Sequence, residues 1–371
     1  MRKYLLPAFA VILAAVSCGK ESKPGDDSGK TQGPSGFSVF LPDDLEDIDL
    51  NYEKQDKTLA FEWEADETLD YSVQFSLSDD LSSPVQVALN NTGKDALTHA
   101  QLDGMLGELG VKPYHGAEVY WAVRAENGSG SVLSEVRSME LLRFIAPFTD
   151  PRDNEVYRVI RIEDPLTGDA AVWLADNIRA SEYSDGTPVD QAHIRFSEPA
   201  EGADDYHKEW CRLRGGYYSW SAAVRDTKSA AAGEKVQGIA PEGWHVATRE
   251  DWIFLINNQP DNTEPAASMR SKDYWIETMA APCNNSCGMN VVSAGYIWTI
   301  TEGHPIIEDE AWASFWTSTE PKEGDVIPWS PDPSQFPSQA CVYSFNPGDN
   351  GIAYYVYDKS RGYNVRCVLD E

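Results

Sequence analysis

Five aromatic side chains in the second half of the sequence have neighbours suited to binding a sugar. They lie in segments rich in Pro, Asp and Ser, and they are Tyr274, Trp275, Trp312, Trp329 and Phe336. An exposed ring offers an apolar face, and nearby acids and amides can hydrogen-bond hydroxyl groups, so these are our candidate ligand-binding residues. The alternative for each ring taken singly is that it anchors a long loop.

The sequence lacks the spacings that hydrolases and metalloenzymes use. Its six histidines show no HExxH or other metal-ligand pattern, and no serine occupies a GxSxG turn. A glycosidase needs two carboxylates at a set separation, and sixty acids offer too many pairs for the sequence to select one. We therefore predict a protein that is not an enzyme, with no catalytic residue, no metal site and no cofactor.

Residues 1–17 have the features of an export signal. Arg2 and Lys3 precede an apolar run at 4–16 that is too short to span a bilayer as a stable anchor. Ala15-Val16-Ser17-Cys18 resembles a bacterial lipobox, in which the signal is cut before the cysteine and that cysteine carries the lipids. We predict a lipoprotein signal peptide at 1–17 and lipidation of Cys18. The alternative is a soluble secreted protein cut nearby.

A polar segment at 18–36 follows the predicted lipid. From Gly19 to Gly36 it contains no aliphatic residue, so it cannot bury enough apolar surface to become ordered. This composition predicts a flexible tether, and acyl chains on Cys18 would supply the anchoring free energy. Asp26 and Asp27 resemble the acidic surface-export signals of Bacteroidota lipoproteins. We predict an outer-membrane protein that is anchored by lipid and located at the cell surface.

Charge and length restrict the partners and the domain count. The formal net charge is -30, which argues against nucleic acid and against electrostatic binding to anionic lipid. The chain of 371 residues is longer than one core usually covers, so two domains are the default expectation.

Residues 37–143 have the alternation of a β-sandwich. Apolar and polar residues alternate in short segments separated by turn residues, at 37–40, 57–62, 70–77, 117–125 and 132–141. Between them, Leu102, Met105, Leu106 and Leu109 have helical spacing. The segments Leu59-Ala60-Phe61-Glu62-Trp63 and Val119-Tyr120-Trp121-Ala122-Val123 resemble the N-terminal immunoglobulin-like or fibronectin III-like domain of SusE-type outer-membrane lipoproteins. That resemblance implies a spacer, with glycan recognition further along the chain.

The stretch 241–256 predicts a turn, an aromatic anchor and a capped helix. Pro241 and Gly243 set a turn before Trp244, and Thr248 can cap a helix whose third residue, Asp251, is placed to reach back to the cap amide. An apolar stripe at helical spacing follows, formed by Trp252, Leu255 and Ile256.

This stretch and other motifs in the expected order resemble the Fibrobacter succinogenes major paralogous domain, a bacterial surface domain. Those motifs include Val172-Trp173-Leu174-Ala175-Asp176-Asn177-Ile178, Gly216-Tyr217-Tyr218-Ser219-Trp220, Ser293-Ala294-Gly295-Tyr296, Phe315-Trp316-Thr317-Ser318 and Gly362-Tyr363-Asn364-Val365-Arg366-Cys367. The resemblance implies an α+β, C-type lectin-like domain at 144–371, whose loops after the second helix build the binding surface. Six tryptophans on these motifs or apolar stripes are predicted to be core: Trp173, Trp220, Trp244, Trp252, Trp298 and Trp316.

Export permits disulfides between the remaining cysteines. Cys283 and Cys287 are separated by Asn284-Asn285-Ser286, which suits a tight loop, so we predict a local disulfide; the alternative is two reduced thiols. The family resemblance implies a partner for Cys367 at the position of Ala240, where the cysteine is missing. Cys367 then pairs with Cys211 or stays reduced.

The sequence therefore predicts a lipoprotein that presents a lectin-like domain on a β-sandwich. Its partner would be a polysaccharide or a host or cell-surface glycan, through carbohydrate binding or adhesion. The alternative is a structural or protein-interaction subunit of a surface assembly, such as a fimbrial tip or a glycan-uptake complex.

The lipid anchor is directly testable. We expect cells that express the full chain to incorporate labelled palmitate into it, and Cys18→Ala to abolish the label, because that thiol is the predicted acylation site. Cys287→Ala is the matched control and should keep the label. Equal labelling of the wild type and Cys18→Ala would rule out this anchor.

Overall fold

The computed structural model describes residues 34–225, 234–260, 263–275, 282–307, 312–322, 333–346 and 351–370. The predicted signal peptide, Cys18 and most of the predicted tether lie outside these ranges. The regular secondary structure of the described chain is mostly strand, with a few short helices. None of these helices is long and apolar enough to cross a membrane.

The first part of the described chain forms two sheets. Its elements are β1 Val39–Leu41, β2 Glu46–Asp49, β3 Thr58–Trp63, β4 Asp70–Ser76, β5 Val85–Leu89, β6 Lys94–Thr98, α1 His99–Glu108, β7 Gly116–Asn127, β8 Gly130–Leu133 and β9 Arg137–Leu142. One sheet has the order β1-β3-β6, and the other has the order β2-β9-β7-β4-β5 with β8 beside β7. The β2–β9 pair is parallel, and the other pairs are antiparallel.

One hydrophobic core joins these two sheets. Phe61 of β3 is fully buried, and its ring meets Trp121 of β7 edge-on at 5.4 Å between centroids. Helix α1 closes this core with Leu102 and Met105, and it begins with a capping box at Thr98. The predicted β-rich first domain and its single helix are confirmed, whereas the immunoglobulin or fibronectin type remains a prediction.

The second part combines strands with short helices. Its elements are β10 Phe148–Thr149, β11 Val156–Tyr157, β12 Val159–Glu163, β13 Ala170–Leu174, β14 Ile194–Phe196, α2 Asp205–Arg214, β15 Gly216–Tyr218, α3 Trp220–Val224, β16 Trp244–Val246, α4 Arg249–Asn257, α5 Pro265–Met269, β17 Tyr296–Ile297, β18 Ile306–Ile307, β19 Ala313–Trp316, β20 Gln339–Phe345, β21 Ile352–Asp358 and β22 Cys367–Leu369. The C-type lectin-like type of this part remains a prediction.

An antiparallel sheet of order β12-β13-β22-β16 lies at its centre and is buried on both faces. Leu174 and Cys367 belong to the hydrophobic cluster on one face, and Trp173 and Val368 belong to the cluster on the other. Successive side chains of a strand point to opposite faces of the sheet. A sheet that is covered on both faces therefore requires apolar residues at consecutive positions. The other strands of the described part form small sheets of order β10-β11, β14-β15, β17-β18 and β19-β20-β21.

Helix α4 has the predicted cap. The Thr248 hydroxyl accepts the Asp251 N–H at 3.0 Å, and the Asp251 carboxylate accepts the Thr248 N–H at 2.7 Å. This reciprocal pair satisfies two helix-end donors. Trp252 then packs among Trp173 and Phe315, with ring centroids 5.4 and 5.2 Å away. The predicted cap and apolar stripe are confirmed.

The same carboxylate also connects the helix to the chain end. His245, which is nearly fully buried, lies 3.1 Å from Asp251 through Nε2 and 2.8 Å from Asp370 through Nδ1. Burial opposes ionisation of Asp251, but hydrogen bonds from His245 and Thr248 outweigh it and lower the pKa of this carboxyl. The ionised form of Asp251 is therefore favoured by folding.

A pH dependence follows from the lowered pKa of Asp251. Its stabilising contribution is complete above the unfolded pKa of about 4 and is lost as the pH falls through the lower folded value. We expect Asp251→Asn to reduce the free energy of unfolding at pH 7 by about 1 kcal/mol and to flatten its decline below about pH 4. Denaturant titration across this pH range measures both effects. Asp205→Asn, at an exposed first-turn acid of α2, should change neither; an unaltered decline in Asp251→Asn would contradict the assignment.

Candidate functional site

Helix α2 presents two aromatic residues on one side of an otherwise charged surface. Asp204 caps the helix by accepting the His207 N–H at 2.9 Å. Tyr206 and Trp210 are four residues apart, so their side chains project from the same face. The Tyr206 side chain is 48% exposed and that of Trp210 is half-buried. The helix therefore offers one ring to solvent with a second, half-buried ring next to it.

Tyr274 completes this aromatic surface from a separate part of the chain. Its ring stacks on Tyr206 with centroids 4.8 Å apart and planes 28° apart, and on Trp210 at 6.1 Å and 24°. We call Tyr206, Trp210 and Tyr274 the α2 platform. Stacked rings at these separations attract one another beyond the burial of their area.

Ser293 contacts the Trp210 side chain and the Tyr274 backbone. This buried residue accepts the indole N–H of Trp210 on its carbonyl oxygen at 3.1 Å. Its own N–H donates to the carbonyl oxygen of Tyr274 at 3.2 Å, and its hydroxyl donates to the same oxygen. Tyr274 has a φ of 67°, a left-handed conformation that a tyrosine adopts only when its surroundings impose it. Three hydrogen bonds of one buried residue thus hold the Trp210 indole and the Tyr274 backbone in place.

A groove of about 430 Å³ adjoins the platform. Trp210, His207 and Arg214 line one side, and the loop at 198–203 lines the other. The Arg214 guanidinium carbon lies 4.1 Å from the Trp210 ring centroid, and its Nη1 donates to Ser197 at 3.1 Å. The groove therefore combines one aromatic wall with groups that can hydrogen-bond hydroxyls.

The charges around the platform are fixed by ion pairs. Arg212 contacts Glu209 at 2.8 Å and also pairs with Glu155. Hydrogen bonding to Glu209 raises the pKa of Arg212, and the reverse contact lowers the pKa of Glu209. Burial, followed by the charge of Glu209, raises the pKa of Tyr274. The Tyr274 hydroxyl is therefore neutral at physiological pH and can both donate and accept a hydrogen bond.

The side chains of this surface determine what it can contact. Rings, an imidazole and fixed carboxylates can hold a polar ring-shaped molecule by stacking and hydrogen bonds. Across the described ranges, no three His, Cys, Asp or Glu side chains are grouped so that they could hold a metal ion.

Comparison with known families agrees with the motifs of the second half. Residues 169–369, more than half of the chain, match the family model of the Fibrobacter succinogenes major domain. The chain belongs to the Fibrobacter succinogenes major domain family. Residues 23–124 match the model of the SusE outer membrane protein. Both predicted resemblances are confirmed in their predicted order, and no curated protein matches the chain.

Within the Fibrobacter succinogenes major domain, the four predicted ligand residues that the structure describes do not form one cluster of rings. Tyr274 joins the α2 platform, whereas the neighbouring Trp275 turns inward, donates to the Val291 carbonyl at 2.9 Å and packs on the core around Trp252. Phe336 is 7% exposed in a small hydrophobic cluster. Trp312 is half-buried, and Trp329 lies outside the described residues. Trp275 and Phe336 therefore pack against hydrophobic clusters, and the ligand-binding role of the five residues remains a prediction.

The predicted Cys283–Cys287 disulfide is not formed in the structure. No disulfide joins any of the five cysteines in the described part of the chain, Cys211 and Cys367 among them. Burial raises the pKa of Cys287 to about 11, and it also raises that of Cys283. A raised pKa disfavours the thiolate that disulfide exchange requires.

Sequence reasoning missed the two platform residues on α2. Tyr206 and Trp210 belong to none of the quoted family motifs and lie ahead of the segments in which a binding surface was expected. A usable signal was present, because Asp-Tyr-His-Lys-Glu-Trp places two rings four residues apart in a helix whose other residues are mostly charged.

Trp298 departs from its predicted core position. Its side chain is 52% exposed, although Trp173, Trp220, Trp244, Trp252 and Trp316 are buried as predicted. The residue follows β17, where Ile297 takes the inward direction, so the strand alternation turns Trp298 outward.

Two tryptophan variants test the assignment of Trp252 to the core and of Trp298 to the surface. We expect Trp252→Ala to lower the free energy of unfolding by about 3–5 kcal/mol, because it leaves a cavity in the core. Trp298→Ala should lower it by about 1 kcal/mol or less, because about half of that residue is already in water. Denaturant unfolding of both variants measures the difference. Comparable losses in the two variants would show that Trp298 is a core residue after all.

Proposed function

We propose that the protein binds carbohydrate at the surface of the outer membrane and that the α2 platform is its stacking surface. The observation that carries the proposal is the exposed Tyr206 ring stacked on Tyr274. Ser293 holds the Tyr274 backbone and the Trp210 indole through hydrogen bonds.

A sugar ring suits this arrangement for a physical reason. Its apolar C–H face can cover the Tyr206 ring, while its hydroxyls reach groups at the rim such as His207 and Glu209. Because Tyr274 and Trp210 are already ordered, binding costs little further side-chain entropy. The adjoining groove of about 430 Å³ has room for a further sugar residue of an extended glycan.

The location and domain roles also belong to this proposal. The match to the SusE outer membrane protein supports an outer-membrane setting and a role in glycan use. Lipid on Cys18 and a tether at 18–36 would hold the protein at the membrane. Residues 37–143 would act as a β-sandwich spacer, and residues 144–371 would form the recognition domain.

A glycan array followed by calorimetry tests the binding function. We expect the full chain to bind at least one neutral oligosaccharide on the array and Tyr206→Ala to weaken that binding about tenfold, since a stacked ring is lost. Tyr206→Phe keeps the ring and should bind nearly as the wild type does. Ile253→Ala, a matched exposed apolar residue on α4, should have no effect.

Either of two results would contradict carbohydrate binding at the α2 platform. An array without any bound glycan, or Tyr206→Ala binding as the wild type does, would exclude the platform as a carbohydrate site. A protein partner that the chain retains from intact cells in excess sugar would then favour the alternative role in a surface assembly.

A further inference from the structure

We propose that Trp298, Arg361 and Tyr357 form a second ligand site. This site binds a sugar that carries a carboxylate, such as a hexuronate. The Arg361 guanidinium carbon lies 4.1 Å from the Trp298 ring centroid and 4.3 Å from that of Tyr357. The guanidinium group is therefore sandwiched between two rings. We call these three residues the Arg361 site.

The backbone sets Trp298 and Arg361 side by side. Ile297 and Gly362 exchange two hydrogen bonds of 2.9 Å in an antiparallel bridge. The residue after Ile297 and the residue before Gly362 then face each other across that bridge. A side chain at Gly362 would approach Ile297 to 2.9 Å, so this close pairing requires glycine. The Trp298 ring and the Arg361 guanidinium are therefore neighbours because the backbone pairing places their residues opposite each other.

The Arg361 guanidinium keeps hydrogen-bonding capacity for a ligand. Within the described ranges, its one hydrogen bond goes from Nη1 to the hydroxyl of the buried Tyr363 at 3.1 Å, and no carboxylate pairs with it. Asp358 is near in sequence, but its carboxylate accepts the Ser360 N–H at 2.9 Å. A guanidinium has five N–H donors, and rings that cover its faces leave its edge for a coplanar partner.

The chemistry of that edge selects a carboxylate. A carboxylate meets a guanidinium with two parallel charge-assisted hydrogen bonds, whereas a neutral sugar leaves the cation without a counter-charge. Trp298 is 52% exposed, and it adds an apolar surface directly beside the cation. A hexuronate carries both complementary parts on one ring, namely a C–H face and a carboxylate. The net charge of -30 makes non-specific attraction of acidic polymers unfavourable, so such binding requires a specific site.

The test compares acidic oligosaccharides with their own methyl esters. Calorimetry would use the full chain with oligomers of galacturonate, glucuronate and mannuronate, each in both forms. We expect at least one acid to bind about tenfold more tightly than its ester. Arg361→Gln should abolish that preference, Arg361→Lys should restore part of it, and Trp298→Ala should weaken both forms. Denaturant unfolding confirms that each variant is folded.

The α2 platform provides the matched control, and the Arg361 site does not depend on it. Tyr206→Ala should leave the preference for the acid unchanged, while Trp298→Ala should leave binding of neutral glycans at the platform unchanged. If no acid binds more tightly than its ester, or if folded Arg361→Gln keeps the preference, the proposed site is excluded. Loss of the preference in Tyr206→Ala would instead move carboxylate recognition to the platform.

Discussion

The extended segment at 362–370 is the constraint on which the second half of the structure depends. Its backbone exchanges hydrogen bonds with β15 through Tyr363 and with the Trp298 region through Gly362, and it accepts the Ile178 N–H at Val365. The amide nitrogen of the fully buried Asn364 donates to the carbonyl oxygens of Arg214 and Gly216 at 2.7 and 2.9 Å. One strand of chain thus satisfies backbone groups from several elements that do not otherwise meet, as buried backbone requires.

Both candidate surfaces are positioned by this one segment. Asn364 holds the carbonyl at the end of α2, the helix that carries Tyr206, and the Gly362 bridge holds the turn that carries Trp298. The buried Arg366 in the same segment has its pKa lowered to about 9 by burial, with Asp176 opposing that shift. A buried guanidinium that loses its partners destabilises the fold. Arg366 therefore favours the arrangement of the chain that supplies those partners.

The sequence predicted the parts of the fold that local rules decide. The cap at Thr248 depends on residues three apart, and the buried face of α1 depends on helical spacing, so both were readable. The platform stacks Tyr206 on Tyr274 across 68 positions of chain, and a buried serine links Tyr274 to Trp210; no local pattern encodes either contact. The core prediction for Trp298 was wrong for a related reason: an apolar stretch of sequence does not determine which way each of its side chains points. Motif order identified the family, whereas the site depended on long-range packing.

The separation between buried and exposed rings explains how such a scaffold can carry different ligands. Trp252 is removed from water by folding, so its identity is tied to the stability of the core. Tyr206 and Trp298 remain about half in water, so folding gains little from them and their replacement need not unfold the chain. Recognition can therefore change at these positions while the segment at 362–370 keeps the geometry. Function then belongs to residues placed on the scaffold rather than to the scaffold itself.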